Sequence, residues 1–482
     1  MKRVQLVGLL CLAMVAAFSW RPAAARPVFL ELPGRETRGV VSNGIPAQFL
    51  YPEIAQLAAS DAGVPDEFGQ AVALNGDTLV VGAPYESGGP GDPLEAAGAV
   101  YVFERDLGGT DNWGQAARLA AVDAQSGDWF GWSVAISGDT VVVGAPTFPY
   151  SERPGSAYVF ERDLGGQDSW GWAVKLTASD AQLDDAFGEA VAIDGDTIVA
   201  GALWEDGGSG DPLENTGATY VFERDLGGAG QWGEAAKLVA GDAQAGDHFG
   251  WAVGIGGDTL VVGARHAAAG PGEPLADTGA VYIFERDLGG PGSWGQAAKI
   301  SAGDPQVEDY FGWVVRISGD TLAVGAPYED GGPGDPLTSA GAVYIFQRNL
   351  GGPGSWGQAA RLTAGDAQAG DQFGRSIGLS GDRLIVGAWL KDGDDPLFAA
   401  GAAYVFELGL GGPGLWGQAA KLTASDAQLE DFFGSAAAVD GDTIAVGAVG
   451  EDGGPDDPLP DSGAVYVFQA AERIYLPVVR RD

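Results

Sequence analysis

One cysteine, two histidines and two methionines are spread over 482 residues. A single cysteine excludes an internal disulfide framework and any Cys-rich zinc site. The two histidines, His248 and His266, are too few for a His-rich metal centre. Positive charge is also scarce: 26 Lys and Arg stand against 66 Asp and Glu, a formal net charge of −40. Such a chain repels phosphate backbones, so no nucleic-acid partner is expected. Beyond the N-terminus no run is long and apolar enough to cross a bilayer. Glycine is what abounds, at 80 residues, beside 14 Trp, 13 Tyr and 20 Phe. That aromatic content supplies a large core, so the glycines require a folded explanation rather than disorder.

The N-terminus reads as an address. Lys2 and Arg3 precede an apolar run from Val4 to Phe18, and Arg21-Pro22-Ala23-Ala24-Ala25 follows. A basic start, a short apolar stretch and small residues before a cut site describe a secretory signal peptide, cleaved near Ala25. Cys11 follows Leu10, whereas a lipid-anchored cysteine follows a small residue. The expected divisions are a signal peptide at 1–25, an extension at 26–53, a repeat region at 54–469 and a tail at 470–482. Secretion, or display at the cell surface, is the expected destination.

The repeat region holds seven copies of one unit. A Phe-Gly pair recurs at Phe68, Phe130, Phe187, Phe249, Phe311, Phe373 and Phe433. Gly-Asp and then Gly-Ala follow each pair, as at Gly76-Asp77 and Gly82-Ala83, and an aromatic strand such as Val100 to Phe103 comes next. Each unit reads as four short strands. In the first unit these are Gln70–Leu74, Thr78–Ala83, Ala99–Arg105 and a segment around Ala117–Ala121. Asn75-Gly76 is expected to form the two-residue hairpin turn. Seven units of four antiparallel strands predict an all-β, seven-bladed β-propeller. The fourth-strand motif is missing after Phe468, and an extra copy, Gln56-Leu57, stands before the first Phe-Gly. The N-terminal strand should therefore complete the last blade and close the ring, leaving no open edge. The tail segment Arg473–Val479 is a second claimant for that edge.

Phe68-Gly69 with Val81-Gly82-Ala83-Pro84, repeated in register, resembles the FG-GAP repeat. That repeat builds the propeller head of integrin α chains, and this sequence is most similar to a bacterial secreted form. In four units the final Pro is replaced, by Leu203, Arg265, Trp389 and Val449. The resemblance implies an adhesion-like binding module and, often, a calcium loop between the first two strands. Tight turns occupy that place here and cannot supply the six to eight oxygens calcium takes. No cofactor is therefore required, and calcium at the usual place is not expected.

Two aspartates precede every Phe-Gly. The outer set is Asp61, Asp123, Asp180, Asp242, Asp304, Asp366 and Asp426; the inner set is Asp66, Asp128, Asp185, Asp247, Asp309, Asp371 and Asp431. They read either as a ring of weak cation sites or as turn chemistry, in which Asp accepts backbone N–H groups. Sevenfold identity favours turns. Six tryptophans, Trp113, Trp170, Trp232, Trp294, Trp356 and Trp416, also repeat and read as packing between outer strands.

Function should lie where the repeat is broken. All length variation falls between Phe-Gly and the third strand, in the loop after strand two. A four-stranded meander puts that loop on the same side as the loop carrying Phe-Gly. Residues flanking Phe-Gly do not repeat: Trp129 and Trp132 in unit two, Glu189 in unit three, His248 and Trp251 in unit four, Tyr310 and Trp313 in unit five, Arg375 in unit six. One reading is an aromatic platform at the channel mouth for an extracellular glycan or protein, with Glu189 and Arg375 fixing orientation. The other is that these side chains fill seams between blades. Carboxylates could also run glycoside hydrolysis, and Glu152 and Glu189 are the non-repeated ones. No nucleophile–His–acid order stands out. The expectation is a monomeric binding module without catalysis; an envelope scaffold and a secreted hydrolase are the alternatives.

Overall fold

The computed structural model describes residues 51–87, 94–147, 153–206, 213–268, 277–331, 337–392, 398–452 and 460–470. The signal segment, the tail segment Arg473–Val479 and Glu152 lie outside these residues. The described residues form 28 strands and no helix. They make seven separate four-stranded antiparallel sheets. Six are meanders of consecutive strands; blade one, for example, uses Ala71–Asn75, Thr78–Ala83, Ala99–Glu104 and Gly114–Leu119. Blade seven takes three strands from Phe433–Gln469 and its fourth from Glu53–Leu57. That N-terminal strand pairs with Ala464–Gln469, with Gln56 opposite Tyr466 and Leu57 opposite Val465. The ring is thus a seven-bladed β-propeller closed by its N-terminal strand.

The core lies in the seams between neighbouring blades. The second strands are β-branched and wholly buried, as in Thr78–Ala83. Val80, Val100 and Val102 of blade one pack against Phe130, Val141 and Val143 of blade two. The Phe of each Phe-Gly meets the Tyr and Phe of its own third strand edge-on; Phe68 lies 5.5 Å from Tyr101 and 5.9 Å from Phe103. The recurring glycines let blade backbones touch. A Cβ on Gly82 would lie 1.9 Å from the Gly131 carbonyl oxygen of the next blade. Across the same seams Arg162 donates to Glu104 and to Thr78 of the preceding blade. The six repeated tryptophans are buried, and five lie beneath guanidinium groups, such as Trp232 at 4.5 Å from Arg224.

The hairpin turn differs from its expectation by one residue. Asn75 pairs with Thr78, so the turn residues are Gly76 and Asp77, and of these only Gly76 takes a positive φ, 57°. Asn75 stays in the strand because its side chain is used elsewhere: Oδ1 accepts the Gly138 N–H of the next blade at 3.0 Å. Ser137, Asp194, Ser318, Ser380 and Asp440 make the same link to their neighbours, stitching the channel's lower rim. The outer strand of blade one also starts earlier than expected, because Glu104 pairs with Gly114.

Candidate functional site

The seven first strands line a central channel. Its upper chamber, about 380 Å³, is bounded by the residues that follow Phe-Gly: Gln70, Trp132, Glu189, Trp251, Trp313, Arg375 and Ser435. A lower chamber of about 590 Å³ shares Val72, Val134, Val191, Val253 and Arg316 with the upper one and runs down to the hairpin turns. The entry geometry explains why these positions face the lumen. The residue before each Phe holds a left-handed φ of 51–56° in all seven blades, whatever its type. In six of them its N–H donates to a carbonyl of the preceding blade, as Trp129 does to Ala96 at 3.2 Å. This turn drops the chain into the first strand at the channel wall. A conformation shared by Ala186 and Trp129 alike belongs to the scaffold and leaves the side chain free to vary.

Of the eight sequence-predicted residues, Trp132, Glu189, Trp251, Trp313 and Arg375 line the upper chamber. The other three sit one layer behind. Trp129 stacks on Trp132, with centroids 5.1 Å apart and planes at 18°. His248 meets His266 at 4.7 Å, and Tyr310 touches His266, Trp313 and Tyr328. The inner member of each pair thus lines the lumen and the outer member packs behind it. Trp251 and Trp313 lie 5.2 Å apart, and Trp251 Nε1 donates to the Trp313 carbonyl at 3.0 Å, fixing the indole.

Among the described residues that line it, the upper chamber carries two arginines, Arg316 and Arg375. Glu189 is the single carboxylate among the upper-chamber residues. Desolvation in the channel wall pushes its carboxyl up to about 7 against a hydrogen bond from Trp132 and the pull of Arg265 and Arg375. Burial also lowers the Arg265 guanidinium to about 10 and shifts Arg375 and Arg316 downward. Burial first, and then the neighbouring His266, holds His248 near 4, so it is neutral at physiological pH.

Three side chains not anticipated from the sequence complete the site. Arg265 and Trp389 stand where other blades carry the Pro after Gly-Ala. Arg265 lies 3.3 Å over the Trp251 ring and 4.6 Å from Trp313. Trp389 stacks under Arg375 at 4.9 Å and donates to Gln372 Oε1 at 2.7 Å. Both were visible as departures from the repeat; their position above the first strand was not. Arg316 is the third. Its counterparts are Ala73, Ala135, Ala192, Gly254, Gly378 and Ala438, so an alignment of the seven units at the fifth residue after Phe would have exposed it.

The aspartate sets lie in the loops that precede Phe-Gly. Every outer Asp accepts the hydroxyl of a third-strand Tyr, from Tyr101 to Asp61 at 2.8 Å through Tyr466 to Asp426 at 2.7 Å. Every inner Asp accepts the backbone N–H three residues before it, such as Gln125 to Asp128 at 2.7 Å. Both sets are engaged in turn and strand contacts. Among the described residues, no group of three or more His, Cys, Asp or Glu is arranged to hold a metal ion.

The FG-GAP repeat model matches residues 51–103, 113–160, 170–222, 232–284, 294–346, 356–406 and 416–468, one match per blade. No curated protein matches the chain.

Proposed function

The chain belongs to the FG-GAP repeat family, and from that premise we propose that it is a secreted or surface-displayed binding module whose ligand enters the upper channel. One observation carries this reading: the residues that break the repeat converge on a single chamber. Trp132, Glu189, Trp251, Trp313 and Arg375 come from five consecutive blades and face one lumen. Seam filling alone gives no reason for Trp, Glu and Arg to stand at equivalent positions. Tryptophan faces suit sugar rings or apolar peptide side chains, and a few fixed polar groups supply orientation. The basic, then apolar, N-terminus supports export. A ring closed within one chain leaves no open strand edge for a second copy, which supports a monomer.

Binding rather than catalysis fits the chemistry. Glycoside hydrolysis uses two carboxylates flanking the bond, and among the described residues the upper chamber presents one, Glu189. The test is a glycan and matrix-protein array probed with the full chain, with and without calcium, and repeated with Trp251→Ala and Trp313→Ala. Binding lost in the folded variants is expected. Unchanged binding by variants of native thermal stability would sink the platform, and silence across the array would favour a scaffold. Hydrolysis of an array glycan, abolished by Glu189→Gln, would overturn the non-catalytic reading.

A further inference from the structure

Of the 17 Lys and Arg among the described residues, 14 have a carboxylate within 4 Å. The three that pair with no described carboxylate are Arg265, Arg316 and Arg375, and all three belong to the channel mouth. In a chain with 66 Asp and Glu, cations without partners are unexpected. Each also breaks the repeat: Arg265 replaces Pro, Arg316 stands among Ala and Gly, and Arg375 matches Gln70 and Ser435.

Their surroundings hold them in place without neutralising them. Arg265 and Arg375 rest on indole faces, Arg265 on Trp251 and Arg375 between Trp313 and Trp389. Arg265 Nε is buried and has no hydrogen-bond partner among the described residues. Arg316 spends one donor on the Val315 carbonyl at 2.9 Å. Among the described residues that line the chamber, Glu189 is the one acid, set against Arg316 and Arg375. Guanidinium forks are shaped for planar oxyanions, and cations confined in a low-dielectric pocket attract them more strongly than in water.

Resting on the binding reading above, we propose that the upper chamber takes a uronic-acid unit of an acidic glycan. Arg375 and Arg316, on adjacent blades, line this chamber and offer guanidinium groups to its carboxylate; Trp132, Trp251 and Trp313 line the space for the pyranose ring. Arg265 acts behind the indoles, adding field and fixing Trp251. A chamber of about 380 Å³ is within the size range of small-molecule sites. Among the described residues, Glu189 is the one carboxylate that lines this chamber. Charge selects here: the acidic outer surface disfavours indiscriminate polyanion binding, and only a ligand that threads an acid into the lumen meets the arginines.

The test titrates the full chain with a galacturonic acid trimer, its fully methyl-esterified counterpart and a Glu-rich hexapeptide, following intrinsic tryptophan fluorescence and heat. Arg316→Ala and Arg375→Gln install residues that sister blades carry at these positions, so both variants keep the scaffold. The trimer is expected to bind, with the ester at least tenfold weaker and each variant weakened tenfold or more at unchanged unfolding temperature. The proposal is overturned if the ester binds as tightly as the acid, if the variants bind like the parent, if the peptide binds and the trimer does not, or if nothing binds at millimolar concentration. Ester binding that requires Trp251 and Trp313 leaves the platform standing and removes the carboxylate assignment. Trimer binding that requires Arg316 but not the tryptophans does the reverse.

Discussion

Replacing Lys391 with methionine tests how the blades keep their buried acids neutral. In blades one, three, five and seven the position holds a buried Glu: Glu86, Glu205, Glu329 or Glu451. Blade six has Lys391 instead. Its Nζ donates to Asp371 Oδ2 at 2.9 Å and to the Asp366 carbonyl at 2.8 Å, and both side chains of the pair are 3% exposed. Burial raises the Asp371 carboxyl, and Lys391 is the principal side chain opposing that rise. Lys391→Met keeps the volume and removes the charge, so Asp371 is left ionised and buried or must take a proton. Breaking a buried pair this way costs about 3–5 kcal/mol. Protonation offers an escape at about 1.4 kcal/mol for each pH unit above the ordinary aspartate value. That escape costs about 6 kcal/mol at pH 8 but about 1.6 kcal/mol at pH 5. The loss of stability should therefore be about 4 kcal/mol at pH 8 and about 2 kcal/mol at pH 5. Urea unfolding of parent and variant at both pH values, followed by tryptophan fluorescence, measures it. A penalty independent of pH, or below about 1 kcal/mol at pH 8, refutes the argument.

The parent itself should gain stability on mild acidification. Desolvation, then the adjacent Glu329 and Glu451, push Asp309 and Asp431 up to about 7, and Asp185 beside Glu205 reaches about 6. Between their ordinary value of 3.8 and these raised values the folded ring holds protons that the unfolded chain has released, so stability falls as pH rises through that window. Asp123, Asp180, Asp242 and Asp366 are held below 3.8 by Lys and Tyr contacts that overcome desolvation, so they oppose this only at lower pH. A midpoint urea concentration higher at pH 8 than at pH 5 would contradict this account. The glycines make a paired prediction. Gly82→Ala forces a backbone clash across a seam and should lose about 3 kcal/mol or more. Gly76→Ala, at φ 57° with open space around its Cβ, should lose about 1–2 kcal/mol. Equal losses in thermal unfolding would show that the seam can relax.

Much of the candidate site was legible because a sevenfold repeat supplies its own control. Trp132, Glu189, Trp251, Trp313 and Arg375 stood out by failing to repeat, and the meander rule placed them at one end of the ring. Trp129, His248 and Tyr310 stood out equally, yet they form the supporting layer. Side-chain direction at the left-handed position before Phe made that division, and φ is not written in residue identity when Ala, Gln and Trp all adopt it. Arg265 and Trp389 were seen as lost prolines and not as lumen neighbours, since their loop reaches the mouth only when adjacent blades close against it. The turn was misread by one residue for a related reason: Asn75 is a good turn former, but a hydrogen bond to the next blade claims it.

Sequence alone determined the period, the strand count and the closure. Each follows from short-range patterns: β-branched runs, turn glycines, and a fourth-strand motif displaced from one end of the chain to the other. Tertiary structure decided what the charges do. Asp61 and Tyr101 are 40 residues apart and Arg162 and Thr78 are 84, yet each pair is in contact. Only the assembled ring shows that nearly every described cation in this acidic chain already has a partner, and that the three left over share one channel. Pairing is a matter of distance in space, and in this propeller Arg162, Arg224, Arg286 and Arg348 each reach a glutamate of the neighbouring blade.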